Sequence, residues 1–273
     1  MNFLKQIVLT SLALVASATT ALACGADTNC QIGDDRYYRI AMPQGHDGKS
    51  PVGVIVFSHG YQGSAAGIMR NKALRKVASD LGVALIATKS VGSGWDLPNA
   101  PHGNQKDASA ELAYYDAVIK DASSKFALDT KRMMATGFSA GGMMAWTLAC
   151  ARSDTYAAFA PMAGTFWLKP PQSCKTPVTN IIYIHGKTDR TVPLTGRVIG
   201  NTRQGNVYDT LSMYKKFGNF KEVAETRSGN LTCKNSTNAR GKILNFCLFP
   251  GRHKFSSKYV KFAWEVFAAK GVF

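Results

Sequence analysis

Gly137, Phe138, Ser139, Ala140 and Gly141 spell G-x-S-x-G, and a further glycine, Gly142, follows. A serine in this setting becomes a nucleophile when it sits on a sharp strand-to-helix turn, where small neighbours let the backbone fold tightly and the hydroxyl stands clear. The flanks supply that context. Arg132 to Thr136 (RMMAT) reads as a strand before the motif, and Met143 to Cys150 (MMAWTLAC) reads as a helix after it. An ordinary glycine-rich turn is the competing reading.

A serine hydroxyl needs a base to take its proton and an acid to hold that base in the right tautomer. With a nucleophile on such a turn the chain order is serine, acid, histidine. Of His46, His59, His102, His185 and His253, only the last two follow Ser139. His185 ends an apolar run and leads into HGKTDRTVP, which nominates Asp189 as the acid and leaves His185 a structural residue. His253, in the GRHKF loop before the last helix, then serves as base. Asp96 and Asp107 precede the serine, Asp209 lies in a helical stretch, and Asp154 follows the nucleophile helix, so none fits the acid's place as well. For Asp189 itself the competing reading is a carboxylate bonded to its own turn.

An oxyanion formed at the serine needs N–H donors. The backbone of Ala140, next after the serine, is one. Tyr61, in SHGYQGS, is the other, with Gly60 turning the chain inward and His59 as a packing and hydrogen-bonding residue. Tyr61, Trp95 and Trp167 are candidates for flanking a flat aromatic acyl group. Trp95 and Trp167 as loop anchors over the core is the equal alternative, and Trp146 belongs to the core.

These residues must be held by a scaffold. Short apolar runs bounded by glycine alternate with amphipathic segments, the pattern of parallel strands joined by crossover helices. Strands are predicted over 52–57, 83–88, 132–136 and 179–184, and helices over 65–81, 107–126, 207–217 and 257–269. Residues 89–106 and 165–177 read as irregular. No repeat or linker interrupts the chain, so residues 24–273 form one domain.

The leading 23 residues read as a secretory signal: Lys5, an apolar run from Ile7 to Ala16, and Ala21-Leu22-Ala23 as the cleavage site. A membrane anchor would need a longer run than the one cut by Ser11, Ser17, Thr19 and Thr20. Lipidation of Cys24 is the runner-up fate of the new terminus. Export permits disulfides. Pairing sequence neighbours ties Cys24 to Cys30 and Cys233 to Cys247 and leaves Cys150 with Cys174, out of fifteen possible connectivities; six free thiols are the alternative.

The chain has 273 residues, 45% hydrophobic, with 33 Lys+Arg against 17 Asp+Glu, a net charge of +16. Loss of Lys5 with the leader takes this to +15. That composition excludes disorder and collagen. The basic residues are scattered, with no nucleic-acid motif, and read as solvated faces or as attraction to anionic polymers or membranes. Asn230 and Asn235 fit N-x-[ST].

In combination, GFSAGGMMAWTLAC followed by YAAFAPMAG, with VFSHGYQGS, HGKTDRTVP and the late GRH, resembles the secreted poly(3-hydroxybutyrate) depolymerase and feruloyl esterase group of α/β-hydrolases. The resemblance covers about Val52 to His253. It implies an α/β-hydrolase fold, a mostly parallel central sheet with helices on both faces. It implies hydrolysis of carboxylic esters outside the cytoplasm, with no metal or organic cofactor. Residue by residue it supports Ser139, Asp189 and His253 as the triad and Tyr61 with Ala140 as oxyanion donors, and it favours the Cys150–Cys174 pairing. Lys254 departs from the family, where threonine or alanine is common. The expected substrate is a hydroxycinnamate ester, then a polyhydroxyalkanoate or an aromatic polyester such as PET, taken by a monomer with no nucleic-acid partner and no stable membrane insertion. A non-catalytic surface-binding protein and a peptidase are the rival readings.

Overall fold

The computed structural model describes residues 24–101 and 107–273. The leader, residues 1–23, and His102 therefore lie outside the described residues.

The order of elements is β1 (Cys30–Ile32), β2 (Arg36–Ala41), β3 (Val52–Ser58), α1 (Ala65–Arg70), α2 (Lys72–Asp80), β4 (Ala84–Thr88), α3 (Ser109–Lys125), β5 (Leu128–Phe138), α4 (Ala140–Ala151), β6 (Ala158–Met162), β7 (Asn180–Gly186), β8 (Arg197–Ile199), β9 (Thr202–Gln204), α5 (Val207–Phe217), β10 (Lys221–Ser228), β11 (Leu231–Thr237), β12 (Ile243–Phe249) and α6 (Ser257–Ala269). Ten strands form one sheet in the order β1-β2-β4-β3-β5-β6-β7-β12-β11-β10. The six strands from β4 to β12 run parallel. The flanks, β1-β2 on one side and β11-β10 on the other, are antiparallel. This is the expected α/β-hydrolase arrangement.

Central strands buried on both faces need apolar residues at every position, and alternation then decides which layer each residue enters. In β3, Val54 and Val56 join the layer under α3, α4 and α5, while Ile55 and Phe57 join the layer under α1, α2 and α6. In β7, Ile181 and Tyr183 face the first layer, and Ile182 and Ile184 the second. Trp146 is fully buried on α4 against Phe166, Tyr183 and Tyr214, in the core as expected.

Several boundaries differ from the periodicity. The helix predicted over 65–81 is two helices, because Asn71 leaves the helical region (φ −72°, ψ 89°) and its side chain caps α2 by accepting the Leu74 N–H at 3.1 Å. β5 starts at Leu128, ahead of the apolar run. β1, β2, β6, the β8-β9 hairpin and β10 to β12 are additions to the four predicted strands. The cysteines pair as Cys24–Cys30, Cys150–Cys174 and Cys233–Cys247. The last is a direct cross-strand pair between β11 and β12.

Candidate active site

Ser139 lies between the end of β5 and the start of α4, at φ 59° and ψ −120°. A non-glycine residue pays for a positive φ, and such strain persists where the surroundings dictate it. Here they do. A Cβ on Gly137 would collide with the backbone of Gly141 and Ser58, and one on Gly141 with the backbone of Ser58, so only glycine lets the turn close. The Ser139 N–H donates to the Met162 carbonyl at 2.9 Å, which pins the turn to β6. Ala140 opens α4, so its N–H has no acceptor within the helix and points out of its positive end.

The loop after β3 faces this turn. An ideal Cβ on Gly60 would sit 3.4 Å from the Phe138 carbonyl and 3.6 Å from the Ser139 Cβ. Tyr61 follows and is half exposed (51%) at the rim. His59 ties this loop to the one after β4. Its Nε2 accepts the Ser90 N–H at 3.2 Å, its Nδ1 pairs with the Gly60 carbonyl at 2.8 Å, and its own carbonyl accepts the Trp95 indole N–H at 2.8 Å. Because Nε2 accepts, Nδ1 carries the proton. Burial, the largest influence, pushes the His59 pKa down to about 4, so the ring is a neutral fastening.

Asp189 and His253 meet where the loops after β7 and β12 come together. His253 Nδ1 donates to Asp189 Oδ2 at 2.6 Å. Asp189 Oδ1 accepts the N–H groups of Thr191 at 2.8 Å and Val192 at 2.9 Å. Burial pushes the carboxyl pKa upward, but hydrogen bonds from His185, His253 and Val192 outweigh it and hold the group well below the usual carboxylate range. The His253 ring packs on Phe138, centroids 4.5 Å apart, which brings it beside the residue preceding Ser139. The pair itself is set by the sheet. β12 runs parallel to β7, and beyond the last pair, Phe249 with Gly186, the strands stay zipped: Lys187 N–H donates to the Phe249 carbonyl and Thr188 N–H to the Gly251 carbonyl, both at 2.9 Å.

A cavity of about 550 Å³ opens over Ser139 and Ala140. Tyr61, Trp95 and Trp167 all line it, together with Met143, Arg197 and Gln204. The three aromatics play unequal parts. Trp95 is almost wholly buried (4%), tilted against His59 and Tyr115, and forms floor, so it is an anchor and a lining residue at once. Trp167 is half-buried and bridges to Gln204 of β9. The β8-β9 hairpin thus walls the site, and the Thr202 hydroxyl fastens it to the Asn99 carbonyl at 2.8 Å. The Gly200-Asn201 turn between short strands was a usable hairpin signal for these residues. A second cavity, about 570 Å³, adjoins the first and shares Leu97 and Trp167 with it. Among the described residues no cluster of side chains has the make-up of a metal site.

A family model described as Phospholipase/Carboxylesterase matches residues 95–216. NocK of Nocardia uniformis subsp. tsuyamanensis is 31% identical over 189 residues, which is 67% of this chain and 52% of NocK. Feruloyl esterase C of Emericella nidulans is 26% identical over 179 residues, 63% of this chain and 62% of that one. The chain thus spans about half the length of NocK and under two thirds of the Emericella protein. Among solved structures, the acetyl xylan esterase from Aspergillus awamori superposes with a TM-score of 0.62 at 14% identity, covering 90% of this chain and 99% of that one, a likeness of fold.

Proposed function

We propose that the chain, which is similar to esterase-like α/β-hydrolases, is a secreted carboxylic ester hydrolase working through an acyl-enzyme on Ser139. The observation that carries this reading is Ser139 itself, held at positive φ between β5 and α4 and opening onto a cavity of about 550 Å³.

In the proposed cycle His253 takes the Ser139 proton as the hydroxyl attacks the ester carbonyl, then returns it to the leaving alcohol. Asp189 keeps Nδ1 protonated through the 2.6 Å bond, so Nε2 is the nitrogen that accepts. The N–H groups of Ala140 and Tyr61 receive the oxyanion. Water, activated by His253, releases the acid.

For the acyl group, the Trp95 floor, the Trp167 wall and Tyr61 at the rim favour a flat aromatic such as a hydroxycinnamate. The Emericella relative named for feruloyl esters supports the same class. A polyester chain is the second reading, favoured by the adjoining cavity of about 570 Å³, which gives room for substrate beyond one acyl unit. Three disulfides support work outside the reducing cytoplasm, with residues 1–23 as the export signal. Among the described residues no helix is long and apolar enough to cross a membrane.

Comparing release from methyl ferulate, short p-nitrophenyl esters and polyhydroxybutyrate film, with fluorophosphonate labelling of wild type and Ser139→Ala, tests the reading. Wild type labels and Ser139→Ala does not. An unlabelled wild type, or equal labelling of both, overturns it.

A further inference from the structure

Asp189 serves two histidines. His185 is fully buried (0% exposed) at the end of β7. Its Nε2 lies 2.8 Å from the Val192 carbonyl and 3.3 Å from Asp189 Oδ2. Its Nδ1 lies 2.5 Å from the Tyr183 hydroxyl.

The protons of this chain can be placed. A carbonyl oxygen only accepts, so His185 Nε2 carries a hydrogen, shared between Val192 and Asp189. The Tyr183 oxygen also takes a bond from the Gly164 backbone, and burial pushes the phenol pKa far up, so Tyr183 keeps its proton and offers it to His185 Nδ1. The sequence of donors is Gly164 to Tyr183, Tyr183 to His185, His185 to Asp189. His185 cannot be the reaction's base, since it is enclosed and both ring nitrogens are engaged.

We infer that His185 is a positioning residue for the Asp189–His253 pair, fixing through its Nε2–H the carboxylate oxygen on which His253 depends; this rests on the esterase reading above and deepens it. Thr191 and Val192 hold only Oδ1. With those bonds alone the carboxylate can still roll and swing Oδ2 away from His253. His185 supplies the second donor on Oδ2, which brings the carboxylate to four N–H partners and fills its acceptor sites. A group so occupied orients its partner without drifting toward solvent or another base. His185 acts through Asp189 and touches no substrate.

The test is steady-state kinetics on a soluble ester with wild type, His185→Leu, His185→Gln and Tyr183→Phe, alongside thermal unfolding of each and fluorophosphonate labelling of wild type. Loss of a hydrogen bond to a charged group predicts a roughly tenfold to hundredfold fall in kcat for His185→Leu at unchanged KM. His185→Gln keeps an N–H at similar reach and recovers most of that loss. Tyr183→Phe removes the bond that holds the ring at Nδ1, loosens its aim at Asp189 and lowers kcat several-fold. Wild-type kcat in His185→Leu, equal losses in Leu and Gln, or a change in KM alone overturns the inference. If His185→Leu does not fold, Tyr183→Phe decides, and unchanged kcat there overturns it. A wild type that neither labels nor hydrolyses esters overturns the esterase reading together with this one; a labelled, active wild type beside unaffected variants overturns this one alone.

Discussion

With Ser139 changed to alanine, turnover should fall by a factor on the order of 10⁵ to 10⁶ while the fold survives, since the side chain only loses its oxygen. Ester release and circular dichroism together check this. His59 carries a pH prediction. Its pKa in the folded chain, about 4, lies below that of an unfolded histidine, so the unfolded state binds more protons as the solution is acidified. Its contribution is complete above about pH 6.5 and is lost as pH falls toward 4, by about 3 kcal/mol. Denaturation at stepped pH should show that slope in wild type and a flatter one in His59→Gln. The proposed triad was legible in the sequence because a motif and a chain order select Ser139, Asp189 and His253 without any coordinates. How many donors converge on Asp189 was not, since His185, Thr191 and Val192 reach it only through the path of β7 and its loop. The depth of Trp95 was hidden likewise: its indole bond to His59 joins two loops that periodicity leaves irregular.

Among the elements, the turn between β5 and α4 has the least freedom. Gly141→Ala would drive a methyl into the Ser58 backbone, and the expected outcome is insoluble protein or loss of fluorophosphonate labelling. Asn71→Ala should cost only about 1 kcal/mol, read from urea unfolding, because it removes one cap from α2 and leaves the buried faces intact. Four of the six parallel strands, β3, β4, β5 and β7, could be read from apolar runs, since a strand buried on both faces declares itself in composition. β1, β8 and β9 have three residues each, and with β2 they carry charged or polar residues such as Arg36, Arg39, Arg197 and Arg203 and sit toward an edge or over the site, where pairing partners rather than composition make the strand. The break at Asn71 escaped because the residues on either side keep a helical rhythm across it.

At the scale of the whole molecule, the disulfides and the charge make separate predictions. Removing Cys150 and Cys174 together should cost about 3 kcal/mol by releasing a closed loop of 24 residues, measured by denaturant unfolding. The excess of 33 basic over 17 acidic side chains should retain the protein on an anionic polysaccharide at low salt and release it at high salt, without altering kcat on a small neutral ester. The zipping of β7 to β12 beyond their last strand pair reaches further. Lys187 and Thr188 are bonded to Phe249 and Gly251, and Cys247 on the same strand is stapled to Cys233. The two loops that carry Asp189 and His253 are therefore one mechanical piece, while the walls contributed by residues 91–101 and the β8-β9 hairpin are fastened to each other through Thr202 and Asn99 and to the acid's loop through Arg197 and the Thr191 carbonyl. A protein engineer who exchanges both walls with a relative's as one cassette, keeping Arg197, alters what the cavity admits and inherits the acid–base pair.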